Sequence, residues 1–379
     1  MKGISILIGG DLVPTRLNYK LFIRGDLNNL VGRKLKKVIR KSDFRIFNLN
    51  VPFTDRDTPI LKHGNHYRAI RSTIHGIKAM NPSLVTLAND HIMDHGKQGL
   101  FSTFRILQCN NIHYAGAGKN KKEASKPYII ELEGIRAGIY SCTGEKSILE
   151  TDVLAGVNSF DPLESLDHIK GLKRLCDYVI VIYYAGKEQY PYPTPNLQKN
   201  CRKMVDKGAD FVICQQSHCA GCMEQYKEGT ICYGQGDFIY SGSNHRGAKS
   251  GLLVELKLEK EHAKINYIPI IKYRNIVRLA NKKDWSIILE PFWERSMLIK
   301  QPGFIEKEYQ ELANEKLKTY MKVLHGGNYL YQFINKILRD KLSMNYSKKQ
   351  LLEIEHYIES GTHLELLLNG IKSRFGRRY

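Results

Sequence analysis

Leu84-Val85-Thr86-Leu87-Ala88-Asn89-Asp90-His91, with Asp94-His95-Gly96 close behind, is the stretch on which the reading of this chain turns. A short apolar run ends abruptly in an amide, a carboxylate and an imidazole. That is the pattern of a buried strand whose carboxyl end opens on a site. Three further runs end the same way. Ile4-Ser5-Ile6-Leu7-Ile8 leads into Gly9-Gly10-Asp11, and Phe44-Arg45-Ile46-Phe47-Asn48-Leu49 leads into Asn50-Val51-Pro52. Phe211-Val212-Ile213 leads into Gln215-Gln216-Ser217-His218, with Gly234-Gln235-Gly236-Asp237-Phe238 beyond it. Taken singly, each reads as an ordinary buried polar group. Together they put oxygen and nitrogen donors at successive strand ends, a mix that suits Mn²⁺, Fe²⁺ or Zn²⁺. A metal there would activate water and polarise a phosphoryl or carbonyl oxygen.

Periodicity fills in the rest. Helices are predicted over 27–40, 72–80, 96–109 and 195–207, and short strands at 112–114 and 178–182. Residues 129–132 and 137–140 read as a hairpin around Glu133-Gly134, and 251–258 with 265–271 as paired strands. Alternation of apolar strands with helices implies a sheet covered by helices, an α/β architecture. After about residue 275 the composition changes, and helices are predicted over 304–322, 328–343 and 347–373, broken at Gly326-Gly327. The expected organisation is therefore a domain over 1–275 and a helical region over 276–379. The last segment ends in Lys372-Ser373-Arg374-Phe375-Gly376-Arg377-Arg378. It reads either as a helical cap on the core or as an arm that binds a partner or a polyanion.

Of 379 residues, 42% are hydrophobic and 25% charged, which places the chain among globular proteins and not disordered ones. Lys and Arg number 58 against 38 Asp and Glu, a net charge of +20. Such a balance favours polyanionic partners: nucleic acid, an acidic polymer or an anionic surface. For nucleic acid the charge is the sole support, so it is not the expected partner. The apolar run Ile4–Ile8 is too short for a signal segment, and no stretch approaches the roughly 20 apolar residues of a membrane span. The expectation is a soluble, cytoplasmic protein with reduced thiols among its eight cysteines. Cys219 and Cys222 have zinc-ligand spacing but lack a second pair, so zinc is not expected there.

The order of these motifs resembles the CapA family, which is associated with poly-γ-glutamate capsules and belongs to the calcineurin-like metallophosphatases. The resemblance rests on Gly10-Asp11, on Asn48-Leu49 with Pro52, and on Ala88-Asn89 with His91, Asp94 and Gly96. It continues through Ala115-Gly116-Ala117-Gly118 with Ala124 and Pro127, then Gly208-Ala209-Asp210 and Gly236-Asp237-Phe238. It covers about residues 3–240. It implies a metallophosphatase-like α-β-β-α sandwich, here with a C-terminal helical extension, and a dinuclear metal site.

Carried over position by position, the resemblance makes Asp11, Asn50, Asp90 and His218 the metal positions and His91 the candidate general acid. Asn89, Tyr184, Gln216 and Asp237 fall at expected substrate contacts. Three strong ligands of the family pattern are replaced: a glutamate by Asn50, and two histidines by Tyr184 and Gln216. An amide brings no charge to offset the repulsion between two divalent ions. A phenol with a reference pKa near 10 ligates only when deprotonated. The expectation is one divalent metal (Mn, Fe or Zn) at most. Two functions follow: a metal-dependent hydrolase of capsule or poly-γ-glutamate metabolism, or a non-catalytic protein of the same fold that binds the acidic polymer or scaffolds capsule synthase components.

Overall fold

A computed structural model describes residues 3–62, 64–144, 155–240, 249–273, 276–325, 329–338, 341–342, 345–359 and 371. Two sheets make up its centre. The first has seven strands in the order Ile276–Leu279, Ala263–Tyr273, Ser250–Leu258, Ile4–Leu12, Phe44–Leu49, Leu84–Thr86, His113–Ala115. The second has six, in the order Met223–Tyr226, Gly229–Cys232, Phe211–Cys214, Tyr178–Tyr184, Ile135–Thr143, Tyr128–Leu132. The expected hairpin and the expected pairing near 251–271 are both antiparallel pairs.

The apolar side chains sort into three cores, and these define the layers. Ile4, Ile6, Ile8, Leu84, Val254 and Leu256 of the first sheet meet Ala137, Ile139, Ile180 and Ile213 of the second. The outer face of the first sheet carries Leu7, Phe47, Val85 and Leu253. These pack under Leu30, Leu35 and Ile39 of the helix Leu27–Lys41 and Leu100 and Phe104 of the helix Gly96–Cys109. The outer face of the second carries Val179, Val181 and Val212 under the helices Glu164–Lys173 and Pro195–Asp206. The fold is thus the α-β-β-α sandwich expected, since the central strands, such as Ile4–Leu12, Phe44–Leu49 and Tyr178–Tyr184, are buried on both faces and have to be covered on both.

The molecule divides into two compact units, Met1–Glu306 and Lys307–Tyr379, so the break lies beyond the change in composition near 275. The reason is the helix Lys282–Leu298. It is capped by Asn281, and it buries Ile288, Leu289 and Phe292 in the core between the sheets. Phe292 lies with its ring centroid 4.7 Å from that of Tyr267, and Arg295 donates to the carbonyls of Ala220 and Gly221. Beyond Glu306, helices are described over Tyr329–Ile337 and Lys348–Glu359. The break at Gly326-Gly327 and the basic run 372–378 lie outside the described residues. Among the described residues no helix is long and apolar enough to cross a membrane.

One local feature aims the site. The pairing of the first strand with Phe44–Leu49 slips between Gly9 and Asp11, so that Asp11 lies opposite Asn48. An extra residue in a strand reverses which face the following side chains take. Ile8 points between the sheets, yet Leu12, four residues on, belongs to the outer core. The extra residue is Gly10, and a Cβ there would lie 2.0 Å from the carbonyl oxygen of Gly236. Gly10→Ala is expected to destabilise the protein by about 1–3 kcal/mol, the usual cost of overpacking. An unchanged urea midpoint in this variant would show that the close approach is not needed.

Candidate functional site

Asp11 is fully buried at the end of the first strand. Its Oδ1 accepts from Asn48 Nδ2 at 2.7 Å and its Oδ2 from Asn50 Nδ2 at 2.8 Å. Asn50 Nδ2 also donates to the Tyr184 hydroxyl at 3.0 Å, and Tyr184 is hydrogen-bonded to Asp90. Asn48 and Asn50 come from the second strand of the parallel run and its exit, Asp90 from the exit of the third, Tyr184 from the other sheet. The strand-end residues singled out in the sequence therefore converge. Two oxygens in this cluster, Asn50 Oδ1 and Asp90 Oδ1, are buried without a hydrogen-bond partner.

On the other side of Asp11, His218 Nδ1 lies 3.7 Å from Asp11 Oδ2 and 2.6 Å from Asp237 Oδ1. The second oxygen of Asp237 is 2.7 Å from the Lys272 ammonium. Lys272 is only 7% exposed, and its chain neighbours Ile270 and Ile271 are apolar. It stands two residues past the buried Ile270, on the same helix-covered face of the strand Ala263–Tyr273. Asp11, His218 and Asp237 each offer one ligand atom, all within 4.8 Å of one another.

His91 is oriented by its neighbours. Its Nδ1 is 2.8 Å from Asp94 Oδ2, three residues on, and its Nε2 is 3.5 Å from Asp90 Oδ2. Lys62 pairs with Asp94 and lies 3.2 Å from His91 Nδ1. The ring of Tyr67 packs edge-on against that of His91 at 4.4 Å, and the Tyr67 hydroxyl meets that of Tyr240 at 2.9 Å. An Nδ1–H directed at Asp94 leaves Nε2 as the exchanging nitrogen.

The remaining expected contacts are placed differently. Asn89 donates to Asn48 Oδ1 and to the Leu49 carbonyl, and accepts from the backbone N–H groups of His91 and Ile92. All four of its hydrogen-bonding positions are used, so it shapes the turn that presents Asp90 and His91 and has no capacity left for a substrate. Asp237 likewise has both oxygens engaged, by His218 and Lys272. Gln216 is buried and has a partner within the fold. Cys219 and Cys222 are buried, and the metal-capable group found among the described residues includes neither. Asn48 and Asp94 stand in the strand-end motifs but were given no role at the site, and Lys272 was not expected there. Asp94 follows His91 at one-turn spacing, which is a readable signal. Lys272 had a weaker one: a charge two residues past the apolar Ile270, on the same face of the strand.

Burial drives the Asp11 carboxyl up to about 7, against the pull of His218 and the two asparagine amides. Burial opposes the charge on His218, but Asp237 and then Asp11 outweigh it and hold the imidazole at about 9. For Asp237, burial is overcome by Lys272 and His218, and the carboxyl sits below the usual range. Burial, followed by the charges of Asp11 and Asp90, pushes the Tyr184 phenol well above its ordinary value, which favours the neutral phenol in the metal-free site.

The family model described as bacterial capsule synthesis protein PGA_cap matches residues 5–241. The chain belongs to this capsule synthesis family. Within it, the capsule biosynthesis protein CapA of Bacillus anthracis is 24% identical, over 70% of this chain and 67% of that protein. The PGA biosynthesis protein CapA of Bacillus subtilis is 25% identical, over 68% of each. A solved protein of Thermus thermophilus aligns at 14% identity with a TM-score of 0.46, over 71% of this chain and all of that one. The family match spans every strand-end residue of the site but stops short of Lys272.

The charged site makes stability depend on pH. A histidine whose pKa is about 9 folded and 6.5 free stabilises the fold fully below pH 6.5, and loses that contribution as pH rises towards 9. Asp11 shifts in the same sense, with its loss complete by about pH 7. Unfolding free energy should therefore fall between pH 6.5 and 9, by on the order of 2–3 kcal/mol from His218. Denaturant titrations of His218→Gln should lose most of the fall above pH 7, leaving the part due to Asp11. An equal slope in the variant would place the titration elsewhere.

Proposed function

We propose that this chain acts in the assembly or turnover of an anionic capsule polymer of the poly-γ-glutamate kind, as a hydrolase using one divalent cation. Mn²⁺, Fe²⁺ or Zn²⁺ suits the donors. Asp11, Asn50, Asp90 and His218 would hold it, and His91 would be the proton donor. The observation that carries this reading is the pair of buried oxygens without partners, Asn50 Oδ1 and Asp90 Oδ1. A buried acceptor without a donor costs about 1–3 kcal/mol. Two of them beside one neutral phenol fit a cation better than an apolar filler. Once bound, such an ion supplies a polarised water and a Lewis acid.

The chain's own groups do the rest. Asp94, itself paired with Lys62, accepts from His91 Nδ1 and so leaves Nε2 to deliver a proton to a leaving group. Asn48 holds the Asp11 carboxylate in place, and Tyr184 stays neutral between Asn50 and Asp90. A second cation has no place in this set, because Asn50 cannot bridge as a carboxylate does and Asp237 is already matched by an ammonium.

That same matching favours a second reading: a non-catalytic member that binds the acidic polymer, or capsule synthase components, through its net charge of +20. One preparation separates the two. With Mn²⁺ present, hydrolysis of a phosphodiester or of poly-γ-glutamate is expected, and Asp11→Asn and His91→Ala should each lower it by about 10²–10⁴-fold without unfolding the chain. Full activity in both variants contradicts the site assignment. No hydrolysis, together with polymer binding that weakens steeply as salt rises from about 50 mM, favours the binding reading.

A further inference from the structure

Lys272 is the one member of the site for which neither the strand-end motifs nor the single-cation reading gives a purpose. Its side chain is 5% exposed and its ammonium rests 2.7 Å from Asp237 Oδ2, a carboxylate that is itself 1% exposed. A lysine is almost never buried so fully without a charged partner. Asp237 in turn meets His218 at 2.6 Å through its other oxygen, and His218 lies 3.7 Å from Asp11. The order Lys272, Asp237, His218, Asp11 alternates positive and negative groups through the interior. Yet Asp11, His218 and Asp237 are also the three side chains whose donor atoms lie close enough to surround an ion.

Both arrangements cannot hold at once. A divalent ion among those three groups would sit within a few ångströms of the Lys272 ammonium. Like charges about 5 Å apart repel by on the order of 3 kcal/mol per unit charge, even at an effective dielectric of 20.

We propose that Lys272 is a built-in cation that closes the Asp11–His218–Asp237 triad to divalent metal, and that removing its charge turns the triad into a metal site. The ammonium neutralises Asp237 permanently, without depending on metal supply. The chain thereby keeps the folded site where an ion would otherwise be needed to hold it together. This rests on the single-cation reading and deepens it: Asp11 and His218 are common to both donor sets, and Lys272 confines an ion to the Asn50–Asp90 side by excluding it from the Asp237 side.

The test uses full-length protein stripped with a chelator and titrated with MnCl₂ or ZnCl₂, followed by calorimetry and by thermal unfolding. Lys272→Met is expected to gain one equivalent of metal over the wild type, or to bind the same metal at least about tenfold more tightly. Lys272→Arg, which keeps the charge, should match the wild type. Lys272→Met leaves Asp237 buried with half its compensation, so the metal-free variant should be destabilised. Metal should restore its unfolding temperature, while that of the wild type and of Lys272→Arg responds less. If Lys272→Met fails to fold even with metal, or its stoichiometry and thermal response equal those of the wild type, the proposal is wrong. If the wild type binds no metal and Lys272→Met binds one, the single-cation hydrolase reading fails and the role of Lys272 stands.

Discussion

A carboxylate held away from water at the end of the first strand has to be matched on both oxygens, and the surrounding chain is arranged to do so. Asp11 receives one amide from Asn48 and one from Asn50, and faces the imidazole of His218. Those partners come from a neighbouring strand and from the second sheet, so the demand of one buried charge ties the sheets together at their carboxyl edge. The bulge at Gly10 exists in the same service. Without the extra residue, Asp11 would take the other face of the strand and point into the helix-covered core.

Charge balance accounts for the residues that differ here from the pattern the resemblance implies. Where a glutamate is implied by family resemblance, Asn50 brings an amide that donates to Asp11 and Tyr184 instead of a negative charge. Fewer negative groups need fewer positive ones, and two lysines supply them from within the chain. Lys62 matches Asp94 beside His91, and Lys272 matches Asp237 beside His218. A buried ion pair adds little stability over an apolar pair of the same size, but breaking one half of it is costly. Such pairs therefore specify the site more than they stabilise the fold.

Much of the architecture was legible because it depends on periodicity. Phe44–Leu49 and Gly96–Cys109 begin and end where the apolar pattern does, and the strands around 178–184 and 211–214 are apolar throughout. The strand-end polar residues were legible for the same reason: each follows directly on a buried run. What stayed hidden depends on register or on distant packing. The slip at Gly10 reverses a face without altering composition. Lys272 closes a strand whose readable part stopped at Ile271, and nothing local says that its ammonium reaches Asp237, thirty-five residues earlier. The substitution at Tyr184 was visible, but not that its phenol joins Asn50 to Asp90. The helix Lys282–Leu298 was missed because its exposed face carries Trp285, Ile287, Trp293 and Met297 alongside its buried one, which blurs the helical stripe.

The central claim is that protein cations, and at most one metal, balance the charge of this site. Anomalous diffraction from crystals of the wild-type chain grown with Mn²⁺ or Zn²⁺ tests it most directly. The account expects a single peak next to Asp11, Asn50, Asp90 and His218, with Lys272 still paired to Asp237. Two peaks roughly 3.5–4 Å apart, with the Lys272 ammonium displaced from Asp237, would contradict it.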